Sequence, residues 1–260
     1  MWLPGSNRFD RSTLFGEANY RRVLGNPRPP QAIWYYGHES SGALEHIDEY
    51  IPLWKQLIAE FQQETGPVPV IFAQVAKSTN AVWQEHNFRV AEQQRRSEAG
   101  QPEGTPGHFM VVTFDLPLGD IIHLSGGANR ILGRRYALAM REHVLGEAVN
   151  GTGPRLKSVA QFRGNWRTIR VQFDCAITEP VNGYEDQFAV RDEHGEVPVV
   201  AVWRDSTGTS VMIQVDRSDD SPLWVEYGGG RAEDAGVFLT NVVRDLDGLP
   251  APAFGPLRVE

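Results

Sequence analysis

The sequence is short of cysteine, of long apolar runs and of clustered positive charge. Cys175 is its one cysteine, so neither an intrachain disulfide nor a cysteine-based zinc site can form. No apolar stretch approaches the roughly 20 residues that cross a bilayer, and the first residues lack the charged start and apolar centre of a signal peptide. A net charge of −8 with both signs dispersed argues against nucleic acid as a partner. We expect a soluble chain without a membrane span, and its localisation stays open, with a surface or extracellular glycan setting as one possibility.

The first half of the chain alternates between predicted strands and predicted helices. With 41% apolar residues, its 260 residues are ample for one large or two smaller cores. Short apolar runs predict strands at 31–36, 68–76 and 109–114, and apolar residues three and four apart predict helices at 45–64, 82–99 and 127–145. This order of elements indicates a parallel sheet with helices on its faces.

The second half has a different character, beginning after the linker-like stretch 146–154. Six short β-type runs follow, at 158–162, 168–173, 187–190, 199–203, 210–215 and 223–227, separated by turn residues at the spacing of a sandwich. We therefore predict an α/β domain at 1–148 and an all-β domain at 152–260. Of Trp166, Trp203 and Trp224, we expect at least two to fill the sandwich interior, although exposed rings would bind glycan.

The loop after the third predicted strand carries the most suggestive polar residues. Asp120 and His123 stand three residues apart where chemistry gathers in an open α/β sheet, beyond the carboxyl end of a strand. A carboxylate that holds one imidazole nitrogen leaves the other to take a proton from a nucleophile. The alternative is an ordinary surface loop, because a lone D-x-x-H motif is weak. Asp115 is the reserve candidate for the carboxylate role, or a residue that binds loop backbone N–H groups.

Four separated stretches resemble the carbohydrate esterases of the SGNH-hydrolase superfamily. They are Trp34-Tyr35-Tyr36-Gly37 with Glu39 and Ser40, which is similar to W-Y-Q-G-E-S/N; Trp83 with Arg89 and Gln93 or Gln94; Asp120-x-x-His123 followed by Gly133-Arg134-Arg135; and Val225-Glu226-Tyr227-Gly228 with the segment from Asn241 through Gly248-Leu249-Pro250-Ala251-Pro252-Ala253-Phe254. The last stretch resembles the C-terminal β-domain of sialate O-acetylesterases. Together the stretches span about nine-tenths of the chain.

The resemblance implies a fold, an activity and a set of site residues. The fold would be a partial SGNH (flavodoxin-like) parallel sheet with flanking helices, plus a C-terminal all-β sandwich. The activity would be removal of acetyl groups from sugar hydroxyls by Ser-His-Asp chemistry, without a metal or an organic cofactor. His123 would be the general base and Asp120 its orienting carboxylate. Substrate-binding residues would be Tyr36, His38, Glu39, Trp83 and Arg89.

The family's nucleophile block, G-Q-S-N at the end of the first strand, has no clear counterpart. Gly5-Ser6-Asn7 matches only its last letters and lacks the apolar strand that should precede it, while Ser40 and Ser41 lack the sharp strand-to-helix turn of a nucleophile. We therefore expect a truncated or divergent member of the family, with little or no turnover of aryl acetates. A separate polypeptide bearing the serine would complete the sheet. The competing hypothesis is a non-catalytic glycan-binding or structural surface or virion protein that retains an esterase scaffold.

Two further sets of polar residues allow more than one interpretation. A metal site built from His38, His123 and Glu39 or Asp120 is imaginable, but hydrogen bonding is the preferred role. Four arginines of the third predicted helix are expected to form a solvated face rather than an anion site, given the acidic balance of the chain; they are Arg130, Arg134, Arg135 and Arg141.

Overall fold

A three-stranded parallel sheet forms the centre of the first half. The computed structural model describes residues 32–35, 44–179, 184–230 and 236–260. Strands β1 (Ile33–Tyr35), β2 (Val70–Ala73) and β3 (His108–Val111) lie side by side in that order, with Val70 opposite both Ile33 and His108. Every residue of β2 is buried, because the strand is paired on both edges and covered on both faces. The parallel sheet predicted from the alternating elements is therefore confirmed.

Three helices follow the strands. A 3₁₀ turn (Leu44–Glu49) leads into α1 (Tyr50–Thr65), while α2 (Ala81–Ser97) and α3 (Gly126–His143) come after β2 and β3. The side chain of Asn80 caps α2 by accepting the N–H groups of Val82 (3.0 Å) and Trp83 (3.1 Å). Ser125 caps α3 in the same way, through Ala128 N–H at 3.1 Å. None of the helices in the described part of the chain is long and apolar enough to cross a membrane.

Strand β3 is shorter than predicted, because its last residues bond to other partners than the sheet. The apolar run continues to Phe114, but the ladder ends at Val111, whose carbonyl accepts from Gln74 N–H at 2.8 Å. The carbonyl of Val112 instead accepts from the guanidinium of Arg135 at 2.6 Å. Leu116 N–H then closes a turn on the carbonyl of Thr113 at 2.9 Å. Apolar residues alone could not show this early exit from the sheet.

The second half consists of two four-stranded antiparallel sheets. Their strands are β4 (Leu156–Phe162), β5 (Asn165–Phe173), β6 (Phe188–Asp192), β7 (Gly195–Glu196), β8 (Val199–Arg204), β9 (Ser210–Val215), β10 (Trp224–Tyr227) and β11 (Phe254–Arg258). One sheet has the order β4-β5-β9-β8 and the other β11-β10-β6-β7. Buried residues of both sheets, such as Ile213 and Tyr227, belong to one hydrophobic core, as in a sandwich. The antiparallel sheets agree with the predicted β-type half, although β7 and β11 were not predicted.

The tryptophans of the β half are not where they were expected. Trp203 is 41% exposed, and Trp166 and Trp224 are only partly buried, so the expectation that at least two fill the interior is wrong. The guanidinium of Arg167 lies over the Trp166 ring at 4.6 Å from its centroid, and that of Arg217 at 5.4 Å. The core is filled instead by smaller aromatics and aliphatics, including Phe173 and Tyr227. Trp54, by contrast, is buried in the core, as its helical spacing predicted.

The two halves share one core and several buried polar contacts. Val70 and Phe72 of β2 belong to the same hydrophobic cluster as Tyr227 and Phe254 of the β half. The side chain of Gln74, which follows β2, donates to the carbonyl of Ala253 at 2.9 Å and accepts from its N–H at 3.1 Å. Helix α2 also packs on β11. The division at 148/152 stays a prediction, and the packing across it is continuous.

Candidate functional site

The loops that follow β2 and β3 meet beyond the carboxyl edge of the parallel sheet. The Ser78 hydroxyl donates to the carbonyl of Ile121 at 2.8 Å, and Thr79 N–H donates to the same carbonyl at 3.1 Å. The base of the second loop is closed by Gly119 N–H, which donates to the carbonyl of His123 at 2.7 Å. Asp120 and His123 are thus held at the edge of the sheet where ligands of open α/β sheets bind.

Asp120 and His123 form a hydrogen-bonded pair, here called the dyad. Nδ1 of His123 lies 2.7 Å from Oδ2 of Asp120, while Oδ1 accepts the N–H groups of His123 (2.8 Å) and Ile122 (2.9 Å). These N–H groups, that of His123 first, lower the pKa of Asp120 from 3.8 to about 2, and the imidazole contributes further. The carboxylate is therefore ionised at any physiological pH.

This geometry suits a general base. With its proton at Nδ1 directed to the carboxylate, the neutral imidazole presents Nε2 as the nitrogen that takes up a proton. The side chains of His123 and Asp120 are 66% and 53% exposed, so a substrate can reach them from solvent. The arrangement can accept a proton from a hydroxyl and stabilise the resulting imidazolium, which is the work required of a base and its orienting acid in acyl transfer.

The other predicted site residues are only partly visible. Tyr36, His38 and Glu39 lie outside the described residues, as do Ser6, Ser40 and Ser41. Trp83 is 39% exposed in the first turn of α2, close in sequence to the Ser78 loop that contacts the dyad. Arg89 lies six residues further along the helix, about 9 Å at 1.5 Å per residue, and forms an exposed ion pair with Glu85 at 3.3 Å. Their roles in substrate binding stay predictions.

Asp115 does not serve the dyad. Its carboxylate is fully buried and is bound by both Nη atoms of Arg135, each at 2.7 Å, and by Arg244 at 2.9 Å. The reserve hypothesis that Asp115 orients His123 is therefore wrong, and so is the idea that it serves loop backbone N–H groups. Arg135 is likewise buried, so the expected solvated face holds for Arg130, Arg134 and Arg141 but not for Arg135.

Lys77 begins the loop 77–80 that the sequence places at this edge, but its burial was not predicted. It lies four residues after the end of β2 and is only 5% exposed, with Nζ donating to Oε1 of Gln187 at 3.1 Å and lying 5.5 Å from the centroid of the Phe114 ring. Burial lowers the pKa of its amine from 10.5 to about 8. No sequence pattern distinguishes a buried lysine after a strand from an exposed loop lysine. In the described part of the chain, no group of three or more His, Cys, Asp or Glu side chains is placed to bind a metal ion.

The described residues thus form a parallel sheet with an exposed Asp–His pair at its carboxyl edge. The comparisons with known proteins are more specific. Residues 18–142 match the family model described as carbohydrate esterase, sialic acid-specific acetylesterase. This stretch includes β1 to β3 and the dyad, and the resemblance to sialate O-acetylesterase-like carbohydrate esterases is confirmed. Residues 18–142, just under half of the chain, are therefore similar to that family of esterases.

A solved structure of a carbohydrate acetylesterase has a related fold. XAC1771, described as a novel carbohydrate acetylesterase from Xanthomonas citri, matches with a TM-score of 0.65 at 19% identity, over 90% of this chain and 51% of the other. This chain thus spans about half the length of that protein. The N-terminal part of the bacterial S-layer protein SbsC matches with a TM-score of 0.28 at 12% identity, over 50% of this chain and 27% of the other. Among curated protein sequences, none matches the chain.

Proposed function

We propose that the chain acts as a carbohydrate O-acetylesterase of the sialate type, truncated or divergent, with His123 as general base and Asp120 as its orienting carboxylate. The observation that carries the proposal is the 2.7 Å contact of the dyad at the carboxyl edge of the sheet, within the stretch that matches the esterase family. The mixed α/β architecture supports an esterase fold. We further propose that its parallel sheet is part of an SGNH (flavodoxin-like) sheet.

The proposed reaction is hydrolysis of an acetyl ester on a sugar hydroxyl. A serine Oγ attacks the acetyl carbonyl carbon while Nε2 of His123 takes the hydroxyl proton, and the imidazolium is stabilised by the Asp120 carboxylate. The same proton then passes to the departing sugar oxygen. Water, activated by His123, attacks the acetyl-serine, releases acetate and returns the serine proton. No step in this scheme requires a metal or an organic cofactor.

The candidate serines of this chain and most of the proposed substrate-binding residues lie outside the described residues. Ser6, Ser40 and Ser41 are the candidates in this chain, and a separate polypeptide that completes the sheet is the further source that we propose. We assign the acetylated glycan to Tyr36, His38, Glu39, Trp83 and Arg89. Among these, the exposed Arg89–Glu85 pair is worth at most about 1 kcal/mol, so a carboxylated sugar can displace Glu85 at little cost.

Acetate release from O-acetylated sialic acid tests the proposal. We expect any release by the purified protein to be lost in His123→Ala and reduced in Asp120→Asn. His194→Ala is the matched control, since His194 is also exposed and also lies near an acidic side chain, Glu193 at 3.7 Å. Release that is also lost in Ser6→Ala or Ser40→Ala would identify the serine and correct the expectation of low turnover.

The alternative is a glycan-binding or structural protein on an esterase scaffold, and one observation favours it. The partly exposed tryptophans of the β half, above all Trp203, offer ring faces on which a sugar can stack. Saturable binding of acetylated and deacetylated sialic acid alike, weakened by Trp203→Ala, with no acetate release that depends on His123, would support this alternative and reject the esterase.

A further inference from the structure

Ser78, which lies outside the Asp120–His123 loop, binds that loop through its hydroxyl. Ser78 is completely buried, and its hydroxyl is used twice: it donates to the carbonyl of Ile121 at 2.8 Å and accepts from Asn80 N–H at 3.1 Å. Around the dyad, the loop itself is mostly exposed, and Ile121 is 53% exposed. Packing of its side chain therefore contributes little to fixing this loop, so polar anchors matter more.

Ser78 is itself fixed by buried neighbours. Its N–H donates to Oε1 of Gln84 at 2.7 Å, and Nε2 of Gln84 donates to the carbonyl of Gly229 at 3.0 Å. One turn along α2, Nδ2 of Asn87 donates to the carbonyl of Ala76 at 2.9 Å. These hydrogen bonds tie the segment that carries Ser78 to α2, and α2 to the loop after β10.

The anchored carbonyl belongs to the same peptide unit as an N–H group that binds the dyad. The C=O of Ile121 and the N–H of Ile122 share one planar amide, and this N–H donates to Oδ1 of Asp120 at 2.9 Å. The Ser78 hydroxyl on the carbonyl side fixes the plane of the amide, so that its N–H faces the carboxylate. A hydrogen bond to the carbonyl also polarises the amide and strengthens its N–H as a donor.

We propose that Ser78 is a positioning residue of the dyad, acting through the Ile121–Ile122 peptide unit on the carboxylate of Asp120. The effect of Ser78 on catalysis rests on the proposed esterase function, whereas the effect of Ser78 on the Asp120 carboxylate does not. Without the hydroxyl, the Ile121 carbonyl keeps only the N–H of Thr79 at 3.1 Å, and the peptide plane is free to tilt. The Asp120 carboxylate then loses part of the donor support that holds its pKa near 2.

The test is the titration of the Asp120 carboxyl carbon, followed by NMR in folded protein. In Ser78→Ala we expect its midpoint to rise from about 2 toward the ordinary 3.8, by about one unit. Thr79→Ala is the matched control: it removes the neighbouring side chain but keeps the backbone N–H, so the midpoint should not move. His123 is the titratable side chain in direct contact with Asp120 and must be followed in the same samples.

A second variant guards against a folding defect. Ser78→Cys keeps the shape of the side chain with a slightly larger atom and a weak donor, and we expect a midpoint between those of the wild type and Ser78→Ala. A wild-type midpoint in folded Ser78→Ala, or in Ser78→Cys if the alanine variant does not fold, would overturn the proposal. Where acetate release is measurable, Ser78→Ala should lower kcat by about tenfold to hundredfold with little change in KM. Lack of release by the wild type, both alone and together with any polypeptide that co-purifies with it, would defeat the esterase function and leave the titration test intact.

Discussion

Lys77, at the edge of the site, lowers the stability of the folded protein. Its ammonium is buried beside the Phe114 ring with the neutral amide of Gln187 as its hydrogen-bond acceptor, and burial lowers its pKa to about 8. Because the folded-state pKa lies below the ordinary 10.5, the unfolded chain holds the proton more tightly between these values. The native state is therefore destabilised below pH 8, and it recovers stability as the pH rises through the window from 8 to 10.5.

Replacing Lys77 with methionine should remove this pH dependence. A pKa lowered by about 2.5 corresponds to about 3 kcal/mol. Between pH 8 and 10.5 the wild type should gain about this much free energy of unfolding relative to Lys77→Met, so the advantage of the variant should fall by about 3 kcal/mol. Denaturant unfolding across this range measures it. Lys157→Met removes an exposed lysine of β4 and controls for the general loss of a positive charge. A constant difference between Lys77→Met and wild type would contradict the assignment.

The residues of the site differ in how far sequence could place them. Asp120 and His123 lie three apart in one loop, so their contact depends on local geometry that a short motif encodes. Asp115 and Arg135 are 20 positions apart, and nothing local indicates that the guanidinium is buried against this carboxylate. The arginine pattern of α3 predicts four exposed charges, and only the tertiary fold shows which one turns inward. The burial of Lys77 could not be predicted for the same reason.

At the scale of the elements, the helices and most strands could be predicted, and their ends less well. Helices α1 to α3 follow the apolar spacing, and the structure adds Asn80 and Ser125 as the caps of α2 and α3. Strand β3 ended early because a side chain, Arg135, took over a backbone carbonyl. Strand β11 contains Gly255 and Pro256, residues that argue against a strand, and it is accommodated as an edge strand of its sheet.

The outer edge of β1 carries a prediction about its partner. Among the described residues, β1 is paired on one side only, with β2. An unpaired apolar edge leaves N–H and C=O groups unsatisfied and invites association, so we expect residues 1–30 or a separate polypeptide to cover it. Amide hydrogen exchange should show protection at 31–36 that is lost when residues 1–30 are deleted, unless native mass spectrometry finds a bound partner.

Strand β2 is the internal control for this experiment. Its amides are paired on both sides and should stay protected in either form of the protein. Strong protection at 31–36 in a monomer that lacks residues 1–30 would contradict the prediction, because neither of the two proposed covers would then be present.

At the scale of the whole molecule, the sequence indicates two halves of different character, while the structure shows a large hydrophobic cluster that both halves share and a second cluster within the α/β half. The change from alternating helices and strands to β-strands alone was visible as a change in periodicity. What periodicity cannot show is which buried faces meet, and here the parallel sheet and the sandwich contribute side chains to one hydrophobic cluster. Long-range polar contacts add to this, among them the bond between Asp115 and Arg244 at 2.9 Å.

Gln74 is the side chain through which we expect the two halves to unfold as one unit. It is completely buried after β2, and its amide bonds to both backbone groups of Ala253 and donates to the carbonyl of Ala91 in α2 at 3.2 Å. In Gln74→Ala these buried groups lose their partner, at about 1–3 kcal/mol for each group left unsatisfied, so we expect a loss of about 2–5 kcal/mol in the free energy of unfolding. Native-state hydrogen exchange at Ile71 of β2 and Ile213 of β9 measures this loss in each half.

Because the core is continuous, the free energy of opening should fall by the same amount at both amides. The control Gln56→Ala, at an exposed position of α1, should change neither value by more than about 0.5 kcal/mol. A loss confined to Ile71 would mean that the sandwich unfolds independently of the parallel sheet.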